Sequence, residues 1–403
     1  MIQLLTESKS KINKQIHAKL FENDLPKFEF KCRLVSELEE LEELAEQWNR
    51  LHDVCLKPNP FMDPNFLIPA IRHLSNPGSV SVLVVEAPNR RNVKAPKVLC
   101  ALMPLIKRRM YGIPQKCFEI WKHDFCYDST PLIREDCGKG AFSAALDFLG
   151  GDLNAKMFSM DTVSGQGKFQ NLVTDLIYER SHGVFSRDAF TRACFIPDTD
   201  AEFYIRKNVS KNTRKNATRM EAQLEELGTL EHQTVEDGSL WDHWIDEFLE
   251  IEASGWKGKD GTAMLSDPST KRFFKEMAQL HLANGSLSLL KVSLDKHPIA
   301  MLCNLQRGGY AVAFKTAYDE NYGQYSPGVI AELKSIERYY ADGIEKLDSC
   351  ATPDHTMINR IWSDRTRMQS IVMSLGGSLS KLAVASLPFL QAFSKLIRGE
   401  KKQ

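Results

Sequence analysis

The chain has 403 residues, 52 of them basic and 52 acidic, and 43% are hydrophobic. At about 150 residues per domain this is enough for two or three domains, each with its own core. The balanced charge and ordinary apolar content exclude a charged disordered tail protein, a collagen-like chain and a bulk nucleic-acid coat.

Nine cysteines stand at 32, 55, 100, 117, 126, 137, 194, 303 and 350 with no C-x-x-C spacing. This is the pattern of scattered thiols in a reducing compartment, and no metal site is expected. Residues 1–27 form a polar leader ended by Pro26, without the apolar core of a secretory signal. No run of about 18 apolar residues occurs, so a cytoplasmic chain without a spanning helix is expected.

A helix is predicted over 36–52, with Leu38, Leu41, Leu44, Ala45 and Trp48 on one face. Its glutamates, Glu37 to Glu46, form either a solvated face or an acidic partner patch. Asp63-Pro64 reads as an N-cap followed by proline at the first helical position, opening a helix through Leu74. Strands follow at Val80–Glu86 and Val98–Ile106, separated by the basic turn Asn89–Lys94, and then at Cys117–Trp121. Helices at Gly140–Leu149 and Lys168–Ser181 alternate with strands at Lys156–Thr162 and Val184–Phe195, which makes this half α/β or α+β. Pro197–Asp200 breaks the pattern, and the boundary between a first domain, 28–196, and a second, 197–375, is placed there.

The second half opens with a helix over Ser210–Gly228 and a short strand, Leu230–Val235. Amphipathic helices at Leu240–Ser254 and Asp267–Asn284 come next. Strands Leu287–Leu294, Pro298–Gln306 and Tyr310–Ala317 are separated by hairpin breaks at Asp295–Pro298 and Gly308-Gly309. A helix from Ser326 to Tyr340, a strand Glu345–Cys350, a short helix near Thr356–Trp362 and a strand Met368–Leu375 complete the half. The tail, 376–403, contains an apolar stretch, Ser378–Ile397, and ends in Arg398, Lys401 and Lys402. It reads as a helix docked on the protein, a frayed end or a weak membrane-surface contact.

Several segments carry residues suited to chemistry. Tyr325-Ser326-Pro327-Gly328-Val329 opens a helix after an apolar strand. Ser326 suits the cap, Pro327 the first position, and Gly328 close approach by a ligand; unpaired N–H groups and the positive dipole end suit a phosphate. Lys315 to Glu320 ends the preceding strand, and Asp319 or Glu320 can accept a proton from an attacking amine while Tyr318 protonates a leaving thiolate. The alternative is that both acids are turn residues. Asp348 interrupts an apolar strand and requires buried partners, as a base, a substrate anchor or a structural group. His355 has a pKa suited to a base but also suits a helix start. Nothing near Cys350 marks an activated thiol. Lys207, Lys211 and Arg214 share one helical face of an acid-free run, 206–219, fit for an anionic ligand or for solvent. Trp256-Lys257 between glycines, and Trp121-Lys122-His123, are substrate-facing candidates or plain element ends.

From 230 to 375 the element order, β-α-α-β-β-β-α-β-α-β, is that of the GNAT acyltransferase fold, and the first half repeats it loosely. Together with Pro58-Asn59-Pro60-Phe61, Met103-Pro104-Leu105, Thr130-Pro131-Leu132, Glu252 to Gly258, Lys315 to Glu320, Ser326-Pro327-Gly328 and Asp348-Ser349-Cys350, the chain resembles the BioF2-like (CelD-type) acetyltransferases, relatives of FemAB-type transferases. The resemblance covers roughly 35–375 and lacks the fuller Q-x-x-G-x-G/A phosphate loop. It implies two GNAT-like domains side by side, an α+β (mixed α/β) fold, and acyl transfer from acyl-CoA as co-substrate to an amine or hydroxyl, often in exopolysaccharide or envelope synthesis. No metal or DNA is implied. Asp354-His355-Thr356-Met357 stands where FemAB-type relatives often carry a Tyr-Lys pair, a departure that weighs against aminoacyl-tRNA as donor. Rival readings are a Fem-like aminoacyltransferase and a non-catalytic glycan- or nucleotide-binding partner of a polysaccharide synthase.

Overall fold

A computed structural model describes residues 29–88, 97–109, 116–235 and 238–397. The leader, the basic turn Asn89–Lys94 and the final basic residues fall outside these. The elements in the first half are β1 (Lys31–Val35), α1 (Leu38–Glu43), α2 (Ala45–Asp53), α3 (Pro64–Leu74), β2 (Ser81–Ala87), β3 (Val98–Arg108), β4 (Cys117–Ile120), β5 (Leu132–Ile133), α4 (Gly138–Gly150), β6 (Met157–Ser164), α5 (Gly167–Arg180) and β7 (Val184–Phe195). The second half contains α6 (Ala201–Asn208), α7 (Lys211–Glu225), β8 (Leu230–Thr234), α8 (Trp241–Ser254), α9 (Trp256–Lys259), α10 (Pro268–Ala283), β9 (Leu287–Leu294), β10 (His297–Arg307), β11 (Tyr310–Tyr318), α11 (Pro327–Ala341), β12 (Lys346–Asp348), β13 (Asp364–Ser374) and α12 (Ser378–Ile397).

Local chemistry explains the best-defined boundaries. Asp63 accepts from the Asn65 N–H at the start of α3, and Asp267 accepts from Ser269 and Thr270 at the start of α10. In both, proline occupies the first turn, where its missing N–H costs nothing. The expected helix over 36–52 is instead two, hinged at Leu44; Leu41, Leu44, Trp48 and Leu51 are buried while the glutamates stay outside. Asp200 caps α6 through the Phe203 N–H, so a helix follows directly on the predicted break.

All thirteen strands among the described residues belong to one sheet. Its order is β1-β2-β3-β4-β6-β13-β7-β12-β11-β10-β9-β8, with β5 beside β3. Read from its two ends this list is the same path twice: an antiparallel meander, a parallel pair after a helical crossover, and a central strand. The parallel pairs are β4 with β6 and β11 with β12. The last strand of each half is exchanged at the centre. β13 lies between β6 and β7, and β7 lies between β13 and β12. One hydrophobic cluster runs across both halves, joining Phe61, Phe66 and Met103 to Phe273, Phe274 and Phe314. α12 covers the central strands through Val384 and Leu387, buried against Cys117, Met157 and Val372.

Candidate functional site

The sheet opens where β11 leaves β12. The two strands pair only over Tyr310–Val312 and Lys346–Asp348. β11 continues to Tyr318 with β10 alone on its other side, while the chain leaves β12 through Cys350, at φ 54°. The result is a V-shaped divergence of the two strands beside the crossover helix α11. An opposite register shift adds to it: Ala313 faces Asn304 and Lys315 faces Cys303, so β11 carries the extra residue Phe314. This bulge brings Phe314 and Lys315 to the face shared with α8 and the first half.

The equivalent gap between β4 and β6 is filled by the chain itself. Ser129 donates its N–H to Thr162 O, and Ser164 donates its N–H to Thr130 Oγ1. Lys122 Nζ lies 2.8 Å from Thr162 Oγ1. The open V therefore belongs to the second half.

On one side of the sheet the V is bordered by the start of α11. Ser326 adopts the left-handed conformation and its side chain makes no capping bond, contrary to the expected cap. Its carbonyl instead accepts from Val329 and Ile330, at 2.9 and 3.3 Å. Pro327 has no N–H, so Gly328 supplies the one first-turn amide without a partner among the described residues. That amide is buried, and Met357 Sδ lies 3.6 Å from where a Gly328 Cβ would stand. Tyr325 is half-buried and Ser326 exposed. This corner is tighter than the sequence suggests, with a single free amide under a thioether.

The acids that follow β11 are engaged elsewhere. Asp319 accepts from the Asn321 N–H, and its Oδ2 lies 3.0 Å from His297 Nε2. Glu320 accepts from the Trp256 N–H at 2.6 Å and from Lys259 Nζ at 2.7 Å. It straps α9 to the β11–α11 connection. These contacts hold its carboxyl below the usual range, Lys259 contributing most. Tyr318 is exposed at the strand end.

On the opposite face, buried charges line the approach to the V. Lys315 is paired with Cys303 and so faces away from α11, which corrects the reading of it as a contact for a ligand at that helix. Its Nζ lies 3.1 Å from Glu252 Oε1 and 4.8 Å from the centre of the Phe125 ring. Burial lowers its pKa despite Glu252. Glu252 also takes Lys257 Nζ at 3.2 Å and the Met264 N–H at 3.0 Å. Lys257 is thus tied inward, and Trp256 is exposed beside it.

A second set crosses between the halves. Arg192 of β7 grips Asp348 of β12 with two bonds, 2.7 and 3.0 Å, and donates to Tyr127 O at 2.9 Å. Asp348 also takes the Cys350 N–H at 3.1 Å, and Tyr310 Oη lies 3.4 Å from its Oδ2. Tyr310 Oη is 3.5 Å from Lys57 Nζ, which pairs with buried Asp128. Both carboxylate oxygens of Asp348 are therefore engaged, as the structural option requires. Burial pushes the Cys350 thiol well above its ordinary pKa even with Arg192 near, so it stays protonated at neutral pH.

The remaining candidates scatter. His355 is exposed and its Nδ1 accepts from the Ile358 N–H at 3.3 Å, the helix-start role. Trp121 is buried and His123 half-buried in an aromatic cluster, ring centres 4.9 Å apart, with Phe66 and Phe273 against His123. Burial drops the His123 pKa to about 3. Lys211 is exposed on α7, and Arg214 Nε donates to Val209 O. Lys57, Asp128, Arg192 and Tyr310 were missed because the partners that join them lie 38 to 253 positions away. An arginine inside the apolar end of β7 was the available signal.

A sheet with an open parallel pair beside a crossover helix, doubled about a central strand exchange, is a mixed α/β architecture of two GNAT-like units. Residues 211–355 match the Acetyltransferase (GNAT) domain family. The fold is similar to that of a conserved protein of unknown function from Bacteroides thetaiotaomicron, with 10% identity over 86% of this chain and 100% of that one and a TM-score of 0.52. It is also similar to FemX, with 8% identity over 81% of this chain and 95% of that one and a TM-score of 0.53. No curated protein matches the sequence. Among the described residues no helix is long and apolar enough to cross a membrane, and no cluster suited to a metal occurs.

Proposed function

We propose that the protein is an acyltransferase that moves an acyl group from acyl-CoA to an amine or hydroxyl. The observation that carries this is the open V between β11 and β12 inside the segment that matches the GNAT domain. An extended thioester carrier would lie along the unpaired edge of β11. Its phosphates would approach α11 at Ser326 and Gly328, using the dipole and the one free amide, with a shift of Met357. The acceptor would enter from the opposite face, past Trp256, Lys257 and Tyr127. Glu252 and Glu320 are both held in ion pairs and so are poorly placed to act as strong bases, and most of the rate would come from holding the two reactants together. A glycan or envelope precursor as acceptor rests on the family resemblance alone.

Calorimetry with coenzyme A, acetyl-CoA and a long-chain acyl-CoA tests the proposal. Wild type should bind at least one, and Ser326→Glu should weaken binding about tenfold or more by repelling the phosphates. Absence of CoA binding, with transfer from aminoacyl-tRNA instead, would establish the Fem-like alternative. Binding unaffected by Ser326→Glu would place the carrier elsewhere.

A further inference from the structure

α12 presents a second apolar face that nothing among the described residues covers. Ser380, Val384 and Leu387 face the sheet. On the other side Leu379, Leu382 and Phe389 are 78%, 67% and 78% exposed, with Ala385 exposed between them. The spacings of three, three and four residues place them on one stripe of the helix. Single exposed leucines are ordinary; three large apolar side chains aligned on one docked helix are not.

Charge identifies the occupant. Residues 378–403 hold five basic side chains, Lys381, Lys395, Arg398, Lys401 and Lys402, against one acid, Glu400, in a chain whose net charge is zero. We propose that α12 is an interfacial anchor that seats the protein on an anionic phospholipid surface, its apolar stripe entering the headgroup boundary and the net positive charge of the 378–403 sequence favouring anionic lipid. A second copy of the chain fits less well. It would bring two positively charged tails together, and three side chains offer far less than the roughly 800 Å² per partner that stable dimers bury. The inner face of α12 stays on β7 and β13, so docking needs no unfolding. The inference does not depend on the proposed acyl transfer.

The test is co-sedimentation of the full chain with vesicles of phosphatidylcholine alone or with about 30% phosphatidylglycerol. Partition onto the anionic vesicles should be about tenfold or more higher, and should fall in about 0.5 M NaCl. The double variant Leu382→Glu/Phe389→Glu should lose this binding about tenfold or more while keeping its circular dichroism, since both positions are exposed. Equal partition onto both vesicles, no partition onto either, or an unchanged double variant would overturn the proposal. So would concentration-dependent dimerisation of wild type that the double variant abolishes, since the face would then join two copies.

Discussion

Replacing Glu332 with glutamine should stabilise the protein in alkaline solution and leave it unchanged in acid. Glu332 is buried in the second turn of α11, with the Tyr339 hydroxyl 3.1 Å and the Ser335 hydroxyl 3.5 Å from Oε1. Asn304 in turn donates to Tyr339 at 3.2 Å. No cation stands among these partners. Burial raises the carboxyl from 4.5 to about 7. Below about pH 4.5 the group is protonated in both folded and unfolded chains. Between about 4.5 and 7 the unfolded chain releases the proton while the folded one keeps it, so stability falls as pH rises, and above 7 the loss is complete. At 1.36 kcal/mol per unit the shift amounts to about 3 kcal/mol. Urea unfolding midpoints of wild type and Glu332→Gln from about pH 4.5 to 8.5 should therefore diverge, with the variant more stable at the upper end. His52, His123 and His281, lowered to about 4, 3 and 3 by desolvation, cause the opposite trend on acidification. They are common to both proteins and cancel in the difference. A difference that stays constant with pH would refute the reasoning.

Arg192→Leu should destabilise the fold by about 3–5 kcal/mol by leaving Asp348 charged in the interior, and Arg192→Leu combined with Asp348→Asn should recover much of that loss in thermal unfolding. Cys350→Ala should retain at least half of the transferase rate once a donor is known, because the thiol is protonated at neutral pH; a loss of about a hundredfold or more would make it a nucleophile.

Much of the fold was written in local signals. β7 and β9 were read to the residue, and the Asp-Pro opening of α3 announced itself. What escaped was of two kinds. β13 begins at Asp364 rather than Met368, because Arg365 and Arg367 point outward while Thr366 and Met368 are buried, an alternation hidden by the charges. The hinge at Leu44 left no breaker residue to see. The site was harder. Asp348 was recognisable as a carboxylate in need of partners, but Arg192 stands 156 positions away and is brought alongside only by the strand exchange. Glu320 looked like a proton acceptor because nothing in the sequence shows Trp256 and Lys259 folding back onto it.

The doubled sheet also explains why one half can be open. The loop that fills the V between β4 and β6 runs through Lys122, Tyr127, Asp128, Ser129 and Thr130. The same loop supplies Asp128 to Lys57 and the Tyr127 carbonyl to Arg192, at the approach to the V between β11 and β12. The first half thus closes its own gap with the residues that wall the second. Opening it by shortening that loop would also remove the support of Asp348 and of the Cys350 turn. Closure of the first gap and support of the second thus rest on one loop, so the halves cannot exchange roles by a few substitutions.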